Sequence, residues 1–272
     1  MPAAEFETLS LNAGPPWACL RAGAGRPLLL IHGSLCDARF WQGQLEPLAE
    51  AGHAVLAPSL PAYYPLHVFT QMRWQDDLQA LVTLVEALDD TIDVAGHSRG
   101  GFLAYQLARA LPQRVRRLVL AEPGGYFPPS VETQQASNAD SGRVWRNDVI
   151  TLMERGDVEH AVALFVDGVS RPGTWRASPA GFRRMALDNA STLISQLRQD
   201  TLPPYLADEA RALSMPVLLL KGQRSPPRFQ QTVDALGRHL PHAQVVEMRG
   251  AAHAMNLAHP QRFNRILADF LA

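Results

Sequence analysis

A serine stands at the centre of a short motif, G-H-S-R-G at residues 96–100. An apolar, strand-like run precedes this motif, and a helical pattern follows it. A serine at such a sharp strand-to-helix turn presents its hydroxyl at the edge of a sheet, and small residues relieve crowding at the bend. Backbone amides at the start of the following helix can stabilise an oxyanion. The motif therefore predicts that Ser98 is a catalytic nucleophile.

A serine hydroxyl is a weak nucleophile at neutral pH and needs a base within hydrogen-bond reach. Of the nine histidines, His253 is the best candidate, because it follows the last predicted strand and precedes the final helix. His97 belongs to the serine motif, and His32 belongs to a His-Gly pair after an apolar run. We interpret both as residues that shape loops or pack. The other six are expected to be solvated or to cap helices: they are His53, His67, His160, His239, His242 and His259.

The sequence resembles the α/β-hydrolase family over residues 26–128 and 215–272. The resemblance rests on the serine motif, on the His-Gly pair within LLLIHGS at residues 28–34, and on the position of His253. Because the nucleophile is a serine and not an aspartate, the dehalogenase and epoxide-hydrolase branches of the family are disfavoured.

The resemblance also implies roles for individual residues. Ser98 matches the nucleophile of the family, and the backbone N–H of Arg99 matches its first oxyanion donor. A main-chain N–H from the loop after the His-Gly pair supplies the second donor, which by position is that of Ser34 or of its neighbour Leu35.

The acidic residue departs from the common pattern of the family. Most members carry an aspartate shortly after the penultimate strand, but the stretch KGQRSPPRFQ has no carboxylate before Asp234. Some members carry the acid after the strand that follows the serine helix, and Glu122 stands there. The chain order Ser98, Glu122, His253 is then the expected one. The alternative interpretation is an ion pair between Glu122 and an arginine such as Arg224.

The elements that must position these residues alternate along the chain. Short apolar runs predict buried strands at residues 28–31, 54–57, 92–95, 118–121, 217–220 and 245–248. Amphipathic patterns predict helices at 41–51, 72–88, 100–111, 229–240 and 262–271. The sequence therefore predicts an α/β fold, with a mainly parallel, doubly wound sheet and helices on both faces. Residues 6–11 and 17–21, around a Gly-Pro-Pro turn, predict an antiparallel hairpin at the sheet edge.

The alternation stops between the fourth and fifth of these predicted parallel strands. Helical patterns at 144–155, 158–169 and 180–197 predict a helical cap inserted into the core. The predicted organisation is a first core part at 1–124, a cap at 125–213 and a second core part at 214–272. Within the cap, Arg183, Asp188 and Asn189 are candidates for substrate contacts, although polar helix residues more often face water.

Composition excludes several classes of function. The 272 residues carry 25 basic and 26 acidic side chains, so a net charge of −1 favours neither nucleic acid nor an acidic membrane surface as a partner. Only two cysteines occur, Cys19 and Cys36, outside any metal-binding spacing. No signal peptide or membrane span is visible, and a cytoplasmic location is expected. No cofactor and no metal site are indicated.

These observations predict a serine hydrolase that acts on a small molecule with an ester-like or activated carbonyl through an acyl-serine intermediate. The competing hypothesis is a binding protein on the same fold that has lost hydrolysis, because the usual aspartate is missing. Ester, thioester, lactone and carbon–carbon bond substrates stay open at this stage, as does the oligomeric state.

Overall fold

A computed structural model describes residues 5–11, 14–69, 73–128, 139–199 and 202–272. Its eight strands form a single sheet. They are β1 (Glu7–Leu9), β2 (Trp17–Ala22), β3 (Arg26–Ile31), β4 (His53–Pro58), β5 (Ile92–His97), β6 (Val115–Ala121), β7 (Val217–Gly222) and β8 (Ala243–Met248). Their order across the sheet is β1-β2-β4-β3-β5-β6-β7-β8.

The sheet is parallel from β4 to β8 and antiparallel at its other edge. Strands β4, β3, β5, β6, β7 and β8 pair in parallel in that order. Strands β1 and β2 form an antiparallel pair, and β2 pairs antiparallel with β4. The predicted mainly parallel sheet is thereby confirmed. In such a sheet the carboxyl ends of the parallel strands lie along one edge, where side chains from distant parts of the chain can meet.

Helices cover both faces of the sheet because successive strand residues point in opposite directions. Leu29 and Ile31 of β3 belong to one core cluster, together with residues of α2 (Trp74–Glu86), α3 (Arg99–Ala110) and α10 (Pro227–His239). Leu28 and Leu30 belong to the opposite cluster, together with residues of α1 (Gln42–Glu50) and α12 (Pro260–Leu271). Two short elements complete this layer: a 3-10 helix at Ala38–Trp41 and α11 (Met255–Ala258).

The described residues between β6 and β7 form helices and no strand, and we refer to this segment as the cap. Its helices are α4 (Ala139–Glu154), α5 (Val158–Val169), α6 (Thr174–Ala177), α7 (Ala180–Asp188), α8 (Thr192–Gln199) and α9 (Ala207–Arg211). The cap has its own apolar cluster, in which Val149, Val162, Phe165 and Leu193 are buried. The boundaries 125–213 stay a prediction, and part of the polar stretch before α4 lies outside the described residues.

One predicted helix is wrong in its extent. The pattern at 180–197 predicts a single helix, but α7 ends at Asp188 and α8 begins at Thr192. The carbonyl of Asn189 accepts hydrogen bonds from the Thr192 amide at 3.1 Å and from the Thr192 hydroxyl at 2.7 Å, which form a tight turn. Apolar periodicity continues through the turn, so the break has no signature in the pattern.

The two cysteines are free and buried. Burial raises the pKa of Cys19 to about 12 and holds the pKa of Cys36 well above its usual value, so both thiols stay protonated. In the part of the chain that the structure describes, no helix combines the length and the apolar character that a bilayer crossing requires.

Glycines allow α3 to begin directly against the strands beneath it. A Cβ on Gly100 would lie 2.2 Å from the carbonyl oxygen of Ile31 and 2.4 Å from that of His32. A Cβ on Gly96 would lie 2.2 Å from the carbonyl oxygen of Gly100. Such contacts are far shorter than van der Waals distances, so the start of α3 can approach β3 this closely only without side chains at these positions.

We expect Gly100→Ala to destabilise the fold, because the added methyl group overlaps two backbone carbonyls that cannot move independently. The free energy of unfolding should fall by about 3 kcal/mol, measured by denaturant unfolding. Gly181→Ala is the matched control, since a Cβ at Gly181 in α7 meets nothing within 4 Å. Equal stability of the two variants would contradict the close packing described here.

Candidate active site

Ser98 occupies a strained turn between β5 and α3. Its backbone angles are φ 54° and ψ −121°, a conformation that non-glycine residues rarely adopt. The Ser98 amide donates to the carbonyl of Ala121 at 3.1 Å. Its carbonyl accepts from the amides of Phe102 at 3.0 Å and Gly124 at 2.7 Å. These bonds hold the turn to the neighbouring strand, and α3 begins at Arg99, the next residue.

Glu122 lies directly after β6 and contacts the predicted base. Its side chain is completely buried. One carboxylate oxygen, Oε2, lies 2.6 Å from Nδ1 of His253, and the other, Oε1, accepts from the amide of Gly222 at 2.6 Å. With Nδ1 donating to the carboxylate, Nε2 of His253 is left as a proton acceptor. The alternative pairing of Glu122 with Arg224 is not observed, since both carboxylate oxygens have other partners and Arg224 is exposed.

Ser98 and His253 line the same cavity, which has a volume of about 560 Å³. Ser34 lines it too. A Cβ on Gly33 would lie 3.1 Å from Cβ of Ser98, so the loop that carries Ser34 passes beside the serine. Among the described residues, no hydrogen bond joins the Ser98 hydroxyl to the His253 ring. Catalytic hydrogen bonds of this kind often tighten only when substrate binds.

His97 and Phe229 fix the position of His253, a role for which the sequence offered no signal. Nε2 of His97 donates to the carbonyl of His253 at 2.8 Å, and the ring of Phe229 stacks on the His253 ring at 4.0 Å between centroids. Burial, and then the nearby His253, hold the pKa of His97 well below its usual value. His97 is therefore neutral and acts as a structural donor.

His32 stabilises the loop that carries Gly33 and Ser34. Its Nδ1 donates to the carbonyl of Gly33 at 2.9 Å, and its Nε2 accepts from the amide of Leu60 at 3.0 Å. The second contact requires an unprotonated Nε2, and burial accordingly lowers the pKa of His32 from 6.5 to about 4. His32 and His97 therefore shape loops, in agreement with the sequence. His53 differs from its expectation, because it is buried at the start of β4.

The lowered pKa of His32 makes stability depend on pH. Between about pH 6.5 and about pH 4 the unfolded chain binds a proton that the folded chain does not, so the free energy of unfolding falls as the pH falls. The loss amounts to at most about 1.4 kcal/mol per pH unit for this histidine. Denaturant unfolding between pH 6.5 and pH 4 measures the loss of unfolding free energy, and nitrogen NMR of the imidazoles identifies which histidine titrates. Protonation of folded His32 near its ordinary pKa would contradict the prediction.

A buried polar network ties the cap to the loop beside the serine. Asp37, completely buried, accepts from Nη2 of Arg39 at 2.6 Å and from the side-chain amide of Asn189 at 2.7 Å. Arg39 also donates to Asp188 at 3.0 Å, and Asn189 accepts from the amide of Tyr64 at 2.8 Å. The network joins the end of α7 to two segments of the core. One is the segment after β3 that carries Asp37 and Arg39, and the other is the loop after β4 that carries Tyr64.

Leu35 strengthens this connection from the core side. Its side chain is buried in the apolar cluster of the cap, and its φ of 58° places it in the left-handed region. A leucine seldom adopts this conformation unless packing enforces it. The loop that carries the predicted second oxyanion donor is therefore packed into the cap.

None of the three cap residues considered for substrate contacts lines the cavity that holds Ser98. Asp188 and Asn189 belong to the network, and Arg183 donates to the carbonyl of Ser178 at 2.6 Å. Within the described ranges, no three His, Cys, Asp or Glu side chains are arranged to hold a metal ion.

We expect Asn189→Ala to lower the free energy of unfolding by about 2 to 3 kcal/mol, because the Tyr64 amide and one oxygen of Asp37 lose a buried partner. Chemical denaturation measures the change. The control is Asn147→Ala, at an exposed position of α4, which should change stability by less than about 0.5 kcal/mol. If the two substitutions cost the same, the network does not anchor the cap.

Known proteins resemble this chain in sequence and in structure. The sequence pattern of the Alpha/beta hydrolase family matches residues 28–266. A 2-hydroxymuconate semialdehyde hydrolase from Pseudomonas sp. strain CF600 is 27% identical, and the match covers 92% of this chain and 88% of that protein. A pimeloyl-[acyl-carrier protein] methyl ester esterase from Neisseria meningitidis is 29% identical, with 79% and 86% covered.

Solved structures resemble the chain over almost its whole length. A bromoperoxidase from Bacillus anthracis superposes with a TM-score of 0.80 at 20% identity and covers 98% of this chain and 99% of its own. A thermophilic esterase from Thermogutta terrifontis superposes with a TM-score of 0.76 at 23% identity, with 98% of each chain covered. At these identities the likeness establishes the fold.

Proposed function

Since the chain belongs to the α/β-hydrolase family, we propose that it is a serine hydrolase that cleaves a small ester or a comparably activated carbonyl compound. The observation that carries this proposal is the buried Glu122 carboxylate, 2.6 Å from Nδ1 of a His253 ring that shares its cavity with Ser98. A buried carboxylate with only an imidazole and one amide as partners is costly, and orienting a catalytic base accounts for it.

In the first half of the reaction, Nε2 of His253 takes the hydroxyl proton of Ser98 while Oγ attacks the carbonyl carbon. The carbonyl oxygen becomes an oxyanion, for which we propose the backbone amides of Arg99 and Ser34 as donors. Glu122 stabilises the imidazolium that forms. When the tetrahedral intermediate collapses, His253 returns the proton to the leaving group, and the acyl group stays on Ser98.

In the second half, water replaces the leaving group. His253 takes a proton from the water, the hydroxide attacks the acyl carbon, and collapse of the second intermediate releases a carboxylic acid while the proton returns to Ser98. The balance is one water consumed for each bond cleaved. Side chains and water supply every proton that moves in these reaction steps.

The cavity favours a small substrate. Its volume of about 560 Å³ suits a molecule of moderate size, and cap residues such as Phe165 and Phe182 form part of its wall. The two curated relatives are named for a methyl ester and for a semialdehyde, and both kinds of molecule contain an electrophilic carbonyl. We propose esters as the first substrates to test.

We expect Glu122→Gln to lower kcat for an activated ester by about 10³- to 10⁴-fold. A glutamine amide facing Nδ1 donates a hydrogen bond, which puts the proton of the imidazole on Nε2 and prevents that atom from accepting the serine proton. Steady-state hydrolysis of a p-nitrophenyl ester measures the effect. The control is Asp234→Asn, which removes a half-exposed carboxylate paired with Lys221 at 2.6 Å and should leave kcat unchanged.

Covalent labelling separates the hydrolase from a binding protein on the same fold. The wild-type protein should react with a fluorophosphonate at Ser98, and Ser98→Ala should not react. A folded wild-type protein that neither labels nor turns over any ester would overturn the proposal in favour of the binding protein.

A further inference from the structure

Apolar side chains form most of the wall of the cavity that holds Ser98 and His253, and neutral serine and threonine side chains complete it together with one arginine. The apolar lining includes Phe40, Phe165, Val166, Val169, Phe182 and Leu257. Among the described residues that line it, Arg171 is the only arginine, and no lysine, aspartate or glutamate is present. No carboxylate lines this cavity within the same set. An apolar cavity with a single cation suits a molecule that is apolar along most of its length and negatively charged at one place.

The backbone around Arg171 is held in a defined turn between α5 and α6. The carboxylate of Asp167 accepts from the amides of Gly173 and Trp175, both at 2.8 Å. The carbonyl of Arg171 itself accepts from the amide of Thr174 at 3.1 Å. Gly173 has a φ of 83°, which the turn requires. The turn therefore fixes the backbone from which the Arg171 side chain extends, and that side chain is exposed at the cavity wall.

Arg171 has no acidic partner among the residues that the structure describes. The nearest acid along the chain, Asp167, already accepts two backbone hydrogen bonds. A second arginine approaches the same end of α5, where Arg228 donates to the carbonyl of Gly168 at 2.9 Å. Desolvation and the charge of Arg146 lower the pKa of Arg228, although the charge of Glu122 opposes this. Arg171 of the cap and Arg228 of α10 therefore both lie near the C-terminal end of α5.

We propose that Arg171 binds a free carboxylate of the substrate, so that the preferred substrates are esters of an apolar dicarboxylic acid with one end esterified and the other ionised. The inference rests on the proposed function. The planar guanidinium matches a carboxylate with two parallel hydrogen bonds. The apolar wall covers the chain between the two ends, and the ester carbonyl lies against Ser98.

The test compares monomethyl and dimethyl esters of succinic, adipic and suberic acids with the purified full-length protein. Arg171→Gln should lower kcat/KM for the preferred monomethyl ester by about 10- to 100-fold, mainly through a higher KM, because a charge-assisted hydrogen-bonded contact is lost. Values for the neutral dimethyl esters should change by less than about twofold. Arg171→Lys should restore part of the loss, since it keeps the charge without the planar fork.

Arg176→Gln is the matched control. Arg176 is exposed on α6, five residues further along, and is not part of the cavity wall. Its removal takes away the same charge and should leave the selectivity for monoesters unchanged. Equal losses on monomethyl and dimethyl esters, or equal effects of the two arginine substitutions, would overturn the carboxylate site.

Failure of the carboxylate site at Arg171 is distinguishable from failure of the proposed hydrolase function. If the wild-type protein hydrolyses dimethyl esters and labels with fluorophosphonate but shows no dependence on Arg171, only the carboxylate site is wrong. If it hydrolyses no ester and does not label, the proposed function is wrong, and the carboxylate site falls with it. Thermal unfolding of each variant confirms that the compared proteins are folded.

Discussion

A negative charge buried among apolar strand ends is the constraint on which the rest of the site depends. Glu122 is completely buried, and among the described residues its carboxylate oxygens are hydrogen-bonded by the Gly222 amide and the His253 ring alone. Losing either partner leaves an ionised group without water in a medium of low polarity. The position of His253 is therefore determined by the energetics of the fold, and the His97 donor and the stacked Phe229 hold the ring from its other sides.

Much of this arrangement could be predicted because its causes are local in the chain. Parallel strands buried on both faces need apolar runs, and each run at a predicted position lies within an observed strand. The run at 245–248 differs in burial, because β8 is the edge strand and Val245 and Glu247 are exposed. A turn from β5 into α3 needs small residues on either side of Ser98, and those residues are visible in the sequence. The family resemblance points to Glu122, because some members carry the acid after this strand, and the carboxyl ends of parallel strands meet at one edge.

The features that escaped prediction depend on partners far apart in the chain. Asn189 is one polar residue among several in an amphipathic pattern, and nothing nearby shows that its amide bonds to Asp37, 152 positions away. For the same reason the pattern at 180–197 concealed the break between α7 and α8. Arg171 likewise reads as an ordinary surface arginine until the cavity wall is known. Apolar periodicity predicts which residues are buried, whereas these contacts depend on the three-dimensional arrangement of the cap.

Leu35 belongs to two parts of the molecule at once. Its side chain packs among the cap helices, while its backbone continues the loop that passes beside Ser98. The cap is therefore not an interchangeable module. A cap transplanted from a relative would have to bring a pocket for this leucine and an amide for Asp37, or the graft would distort the very loop that it was meant to cover. The same constraint applies when the cap evolves toward new substrates, because changes in the cap helices require matching changes in the loop that carries Leu35.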